Sequence, residues 1–273
     1  MIEKRMVQSQ IDEQTQKYME RTITLNPFLM QELGIIRNKC MIQTDDYKLS
    51  CVPYILSLRN CKVLLILSPR EQTIITGGVS NLMLHLEFQL PDYKNAVPMF
   101  IRIQLRDFKQ LNTNSNQCLL TADFLNIPVE YKGILVRHFR SYELLEKMYN
   151  SAVDNAKTFN HKDITRINLK KHISLRMDKG EKITARIIDT SLIRMTVFVD
   201  VEEEALKNLP ESFLVEVKQS EIPFFLNASL GDYTPSTEVE GYYIVRLNLS
   251  FSSALATCLY PLYPKTENPD STL

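Results

Sequence analysis

The sequence predicts a mainly β fold in two domains joined by one long helix. Three observations point to it. Short apolar runs rich in Ile, Leu, Val and Phe recur between turn-forming residues from Thr22 to Phe124. The period then changes to three- and four-residue steps from Val129 to about Lys157. A second series of β-like runs follows, from His172 to Leu249. The chain has 273 residues, 44% of them apolar and 23% charged, a composition typical of globular proteins and long enough for two domains with cores of their own.

Residues 1–21 are expected to form a surface helix or a frayed arm, because the first 20 have helix-forming composition without Gly or Pro. Expected strands in the first half are Thr22–Leu25, Ile35–Thr44, Tyr47–Pro53, Lys62–Leu67, Thr73–Thr76, Leu82–Gln89, Met99–Leu105 and Leu119–Phe124. Turn residues such as Ser68-Pro69 separate them, and Gly77-Gly78 reads as a hairpin turn. Alternation is clearest at Leu82, Leu84, Leu86 and Phe88, which share one face. Many short strands at this spacing suggest a small barrel or a sandwich. Ile134, Leu135, His138, Tyr142, Leu145, Met148, Tyr149 and Ala152 mark one face of the helix.

Expected strands of the second half are His172–Met177, Lys182–Asp189, Met195–Asp200, Phe213–Val217, Phe224–Leu230 and Gly241–Leu249, then a helical or capping segment at Ala254–Leu262. The resulting division is an arm at 1–21, a β domain with its trailing helix at 22–158, a second β domain at 159–263, and a polar, disordered tail at 264–273. No internal repeat is visible in the letters.

Net charge is zero, but it is unevenly spread. Between Lys157 and Arg194 ten Lys and Arg face four acids, leaving the rest of the chain acidic. A local basic patch on an acidic body suits a small anionic ligand better than a long polyanion; the plainer reading is a solvated charged surface. No nucleic-acid partner is expected. Five cysteines without C-x-x-C spacing read as reduced core residues, and four scattered histidines offer no metal pair. The polar N-terminus shows no secretory signal, and no apolar run reaches the roughly 18 residues of a membrane helix. A cytoplasmic protein without membrane insertion is expected. Nucleotide-binding Gly-rich loops and nucleophile motifs are absent, and Glu202-Glu-Glu204 reads as a solvated turn or helix start. No catalytic residue, metal or cofactor is expected.

One stretch is chemically specific. Arg166-Ile-Asn-Leu-Lys170, followed by Lys171, precedes Asp189-Thr-Ser191-Leu-Ile-Arg194, and strand-like runs flank the second element. From about Asp163 to Tyr260 this resembles a PilZ domain, a bacterial receptor module for cyclic di-GMP, whose pattern is R-x-x-x-R in the loop entering a barrel and D/N-x-S-x-x-G some twenty residues later. The first half resembles, by layout alone, the PilZ-like N-terminal domain that precedes the receptor domain in flagellar-brake proteins and spirochaete relatives. The resemblance implies two small β-barrels and a non-enzymatic cyclic di-GMP receptor. It would couple second-messenger level to a protein partner in motility, envelope or virulence machinery. Arg166, with Lys170 or Lys171, would bind phosphate and stack on purine, while Asp189 and Ser191 would read a guanine edge.

Two positions depart from the pattern. Lys170 keeps the charge of the second arginine without its planar fork. Arg194 replaces a glycine: it either blocks the site, at about 1–2 kcal/mol of strain if the position needs positive φ, or supplies a replacement cation. The alternative is a PilZ scaffold that binds a protein partner without nucleotide.

Overall fold

The computed structural model describes residues 8–77, 82–91, 93–112, 115–153, 156–177 and 181–263. The chain divides into two compact units, Met1–Ser141 and Tyr142–Leu273. The division falls inside the long helix, which the sequence assigned whole to the first domain. The expected tail at 264–273 and Gly78 lie outside the described residues.

In the first unit α1 (Gln8–Lys17) precedes β1 (Thr22–Thr24) and α2 (Pro27–Glu32). Then come β2 (Met41–Gln43), β3 (Lys48–Ser57), β4 (Asn60–Ile66), α3 (Pro69–Thr76), β5 (Leu82–Phe88), β6 (Val97–Gln110), β7 (Gln117–Phe124) and α4 (Val129–Ala152), which runs into the second unit. The sheet order β3-β2-β5-β6-β7-β4 closes through β3–β4 pairing into a six-stranded antiparallel barrel. The second unit contains β8 (Phe159–Asn160), α5 (His161–Arg166), β9 (His172–Arg176), β10 (Lys182–Thr190) and β11 (Arg194–Asp200). They are followed by α6 (Glu203–Lys207), β12 (Phe213–Gln219), β13 (Ile222–Pro235), β14 (Tyr242–Leu249) and α7 (Ser253–Leu259). Here β10-β9-β12-β13-β14-β11 closes through β10–β11. The fold is mainly β, two small barrels, as expected.

The pattern of the letters explains the barrels. Leu82, Leu84, Leu86 and Phe88 of β5 are all buried, and Val215 and Val217 of β12 alternate inward likewise. Strand bulges supply the curvature a closed sheet needs. Pro53, which cannot donate to a ladder, sits at the β3 register shift between Pro53 and Ile55. Tyr131 of α4 is fully buried and donates its hydroxyl to the Ser57 carbonyl at 3.0 Å. Its ring meets Phe88 and Phe124 edge-on. All five cysteines are buried and free, and burial pushes the Cys40 thiol up to about 11 and Cys61 to about 12.

Two first-half expectations were wrong locally. Thr73–Thr76 is the end of helix α3, not a strand: Ser68 and Glu71 form a capping box with Pro69 in the first turn, and Gly77 caps the helix instead of turning a hairpin. The expected strand Ile35–Thr44 contains a 3-10 turn at Arg37–Lys39 before β2. At Glu202–Glu204 the helix start is observed, with Glu202 as N-cap of α6.

Burial also holds the His138 imidazole of α4 down at about 4, against the usual 6.5. The folded-state value lies below the unfolded one, so the unfolded chain takes up this proton first as pH falls. The stability that neutral His138 permits is complete above about pH 6.5 and declines towards pH 4. By pH 5 the loss amounts to about 2 kcal/mol. Urea denaturation at pH 7 and pH 5 measures it: the decrease should shrink by about that amount in His138→Leu.

Candidate functional site

The two barrels have one topology. In strand order within each barrel, the first pairs with the second and fourth, the second with the third, the third with the sixth, and the fifth with the fourth and sixth. Even the register shifts coincide: Pro53/Ile55 in β3 matches Ile187/Asp189 in β10, and Leu105/Asp107 in β6 matches Leu230/Asp232 in β13. A short extra strand pairs with the end of the second barrel strand in each case, β1 at Ile55–Ser57 and β8 at Asp189–Thr190. The N-terminal barrel is therefore an internal reference for the C-terminal one.

The segment entering the C-terminal barrel is built the same way as its counterpart. Asn26 and Asn160 each cap a six-residue helix through the side-chain oxygen. Gly34 and Asn168 follow at φ 75° and 58°. Ile35 and Leu169 then bridge to Phe88 and Gln219 at the end of the fourth barrel strand. In the C-terminal copy Ser220 N donates to the Asn168 carbonyl at 2.8 Å and Lys170 N to the Lys218 carbonyl at 2.8 Å. Gln219 Nε2 donates to the Ile167 carbonyl at 3.2 Å. What reads as a loop in the sequence is a short helix ending at Arg166, stapled to the barrel by backbone hydrogen bonds.

Asp189 lies at the end of β10, past its bulge, and Ser191 opens the turn into β11. Ser191 is 2% exposed. Its Oγ accepts from Ile193 N and Arg194 N at 3.3 and 3.0 Å and donates to the Arg194 carbonyl at 3.2 Å. Ser57 makes the same three contacts with Arg59 and Asn60 in the N-terminal barrel. The serine thus forms the turn in both copies. Arg194 begins β11 and is exposed. The described non-glycine residues with positive φ are Asn168 and Ser220, so an arginine in place of the pattern's glycine carries no left-handed strain.

A cleft of about 430 Å³ gathers Asp189, Ser191, Arg194, Thr196 and Arg246 with Val153, Ala156 and Thr158. Three of the expected site residues, Asp189, Ser191 and Arg194, are brought together there. Arg166, Lys170 and Lys171 are not among its lining residues. Arg166 ends α5, exposed, Lys171 is half-buried just before β9, and Lys170 forms an ion pair with Glu221 at 2.8 Å. That contact holds the Glu221 carboxyl below the usual carboxylate range. Among the described residues no hydrogen bond or ion pair engages the side chains of Arg166, Asp189 or Arg194. Arg246 and Thr196 were missed by the sequence reading, because their membership depends on β14 pairing with β11, far away in sequence.

Residue matching through the shared register separates scaffold from additions. Where the C-terminal barrel has Arg166 and Lys170, the capped helix and the bridge after it place Glu32 and Ile36 in the N-terminal barrel. Where it has Asp189 and Arg194, the ladder of the second and third barrel strands places Ile55 and Asn60. Lys171 matches Arg37, a cation in both. Four positions that hold three cations and a carboxylate in one copy hold no cation in the other. The Lys170–Glu221 pair is exposed on both sides, so breaking it affects stability little. Its removal does free an ammonium for an anion. Glu221→Gln should tighten binding of a dianionic ligand by about threefold at unchanged melting temperature, read by calorimetry.

Among the described residues no group of three or more His, Cys, Asp and Glu could hold a metal ion, and no helix is long and apolar enough to cross a membrane.

Residues 9–130 match the family model described as the PilZN3 domain. No curated protein matches the sequence. Among solved structures, the chain is similar to Borreliella burgdorferi PlzA in complex with c-di-GMP, at 15% identity, covering 94% of this chain and 100% of that one with a TM-score of 0.44. Escherichia coli YcgR in complex with c-di-GMP is 13% identical, with 88% and 89% covered and a TM-score of 0.27. The K. pneumonia MrkH–c-di-GMP complex is 10% identical, with 89% and 95% covered and a TM-score of 0.30.

Proposed function

We propose that this two-domain PilZ protein, whose residues 9–130 are its PilZN3 domain, is a non-enzymatic receptor that binds cyclic di-GMP on the C-terminal barrel. The observation that supports this reading best is the replacement of Glu32, Ile36, Ile55 and Asn60 by Arg166, Lys170, Asp189 and Arg194 on one and the same scaffold. Cyclic di-GMP carries two phosphodiester anions and two guanines. Guanidinium groups bind phosphate oxygens through paired N–H donors and stack on purine faces. In this reading Arg166 is the main phosphate and stacking residue, with Lys170 and Lys171 adding charge. Asp189 accepts from a guanine N–H edge. Ser191 holds the turn that presents Asp189 and Arg194, and Arg194 replaces the fork missing at Lys170. A local basic patch on an acidic body suits this small dianionic ligand, and in this reading a protein partner senses the bound state.

Calorimetry with purified protein and cyclic di-GMP tests the reading. Binding at micromolar concentration is expected, and Arg194→Gly should weaken it about tenfold, the effect of losing one charge-assisted contact. Stronger binding by Arg194→Gly would make Arg194 a blocker. An absence of heat from the wild-type protein would favour the nucleotide-free scaffold.

A further inference from the structure

We propose that Arg246 is a further anion-binding guanidinium of the C-terminal site, and that Asp232 is the positioning residue that aims it. This role presupposes the cyclic di-GMP reading above and assigns to that site a residue that lies outside the sequence pattern.

Arg246 stands on β14 opposite Thr196 of β11, two pairs along the ladder from Arg194, which stands opposite Asn248. Strand alternation therefore places Arg194, Thr196 and Arg246 on one outward face, and all three line the same cleft as Asp189. Arg246 Nη1 donates to Asp232 Oδ2 at 2.7 Å. A guanidinium has five N–H donors, and this is the one hydrogen bond engaging the Arg246 side chain among the described residues. The side chain is 50% exposed and lines the cleft beside Arg194.

Asp232 owes its place to the β13 bulge between Leu230 and Asp232. The inserted residue is Gly231, where a Cβ would press on the Arg246 carbonyl at 2.9 Å and the Asn248 side chain at 3.2 Å. A glycine at the bulge thus lets β14 lie close while Asp232 reaches across to Arg246. The N-terminal barrel has the same bulge with Arg106 and Asp107, but Thr121 stands where Arg246 would be. There Asp107 lies 3.4 Å from Lys109 instead. The guanidinium at this place, like Arg166 and Arg194, is particular to the C-terminal barrel. Charge matching also favours it. A ligand with two phosphodiesters calls for separate cationic groups, and Arg194 and Arg246 supply two on one face.

Calorimetry on the full chain at low and high ionic strength tests both roles. Arg246→Gln should weaken cyclic di-GMP binding about tenfold. It should also make affinity depend less on salt, since one fewer ionic contact is screened. Asp232→Asn should weaken binding about threefold at an unchanged melting temperature, because the fork of Arg246 loses its aim and this outweighs the removal of one local negative charge. Wild-type affinity and salt dependence in Arg246→Gln would overturn the contact, and wild-type affinity in Asp232→Asn would overturn the aiming. If Arg246→Gln fails to fold, Arg246→Lys is the readout: it keeps charge without the fork and should bind about threefold weaker, unchanged affinity counting against the contact. No heat from the wild-type protein would instead overturn the receptor reading itself.

Discussion

The triple variant Arg166→Glu, Asp189→Ile, Arg194→Asn should lose cyclic di-GMP binding by about a thousandfold while melting like the parent protein. Three charge-assisted contacts at about 1.4 kcal/mol each amount to about 4 kcal/mol, which is three decades in affinity. The glutamate at 166 adds like-charge repulsion of phosphate, and contacts to one ligand need not add strictly. The choice of residues makes the folding control internal. Glu32, Ile55 and Asn60 occupy the matching positions of the N-terminal barrel on the same turn, bulge and capped helix. In the N-terminal barrel the same backbone carries them. Calorimetry and a thermal melt decide the matter together. Affinity retained within tenfold would dismiss these residues as the binding set; a broken melt would mean that they hold the barrel rather than the ligand.

This comparison was open only once strand partners were known. No repeat is visible in the letters, yet the two barrels agree in topology, in both bulges and in the Asn-capped helix before the first barrel strand. What the barrels share is hydrogen-bond pattern and inward apolar alternation, and many different side chains satisfy both. Identity therefore decays while the fold persists. Alternation was legible wherever one face is buried, as in β5, and the helical period of α4 was legible along its length. Thr73–Thr76 was misread because β-branched letters outweighed Ser68-Pro69-Arg70-Glu71, which is a helix start with its own hydrogen bonds.

The site was legible in part for a similar reason. Asp189, Ser191 and Arg194 are neighbours in sequence and meet at one turn, so spacing alone predicts their company. Arg246 joins them through the β11–β14 ladder, a contact between residues fifty apart that no local pattern reveals. The burial of Ser191 was also hidden. A serine in a signature reads as a ligand contact, whereas its hydroxyl is engaged by the turn, as that of Ser57 is.

The second large effect concerns the staple before each barrel. Gly34→Asn should destabilise the N-terminal barrel by about 3 kcal/mol, whereas the converse change, Asn168→Gly, should stay within about 0.5 kcal/mol of the parent. Both positions have left-handed φ, 75° and 58°, and asparagine tolerates that region better than most residues. Conformation alone would therefore make the exchange nearly symmetrical. Surroundings break the symmetry. A Cβ at Gly34 would overlap the backbone carbonyl oxygen of Gln89, whose own N–H donates to the Gly34 carbonyl at 2.7 Å. Backbone cannot yield as a flexible side chain does, so Ile36 N, which donates to the Glu87 carbonyl at 2.8 Å, is drawn away with it. In the C-terminal barrel the matching hairpin turns at Ser220, with φ 55°, and Asn168 fits beside it with its side chain in solvent. Urea denaturation of both variants checks this, and wild-type stability in Gly34→Asn would sink it. Asn168, between Arg166 and Lys170 in the chain, is held by main-chain hydrogen bonds, its N–H donating to the Thr165 carbonyl and its carbonyl accepting from Ser220 N. Asn168→Gly should therefore also leave ligand affinity within about twofold of the parent. Arg166 is held in place by the backbone staple, and that staple does not depend on the asparagine side chain.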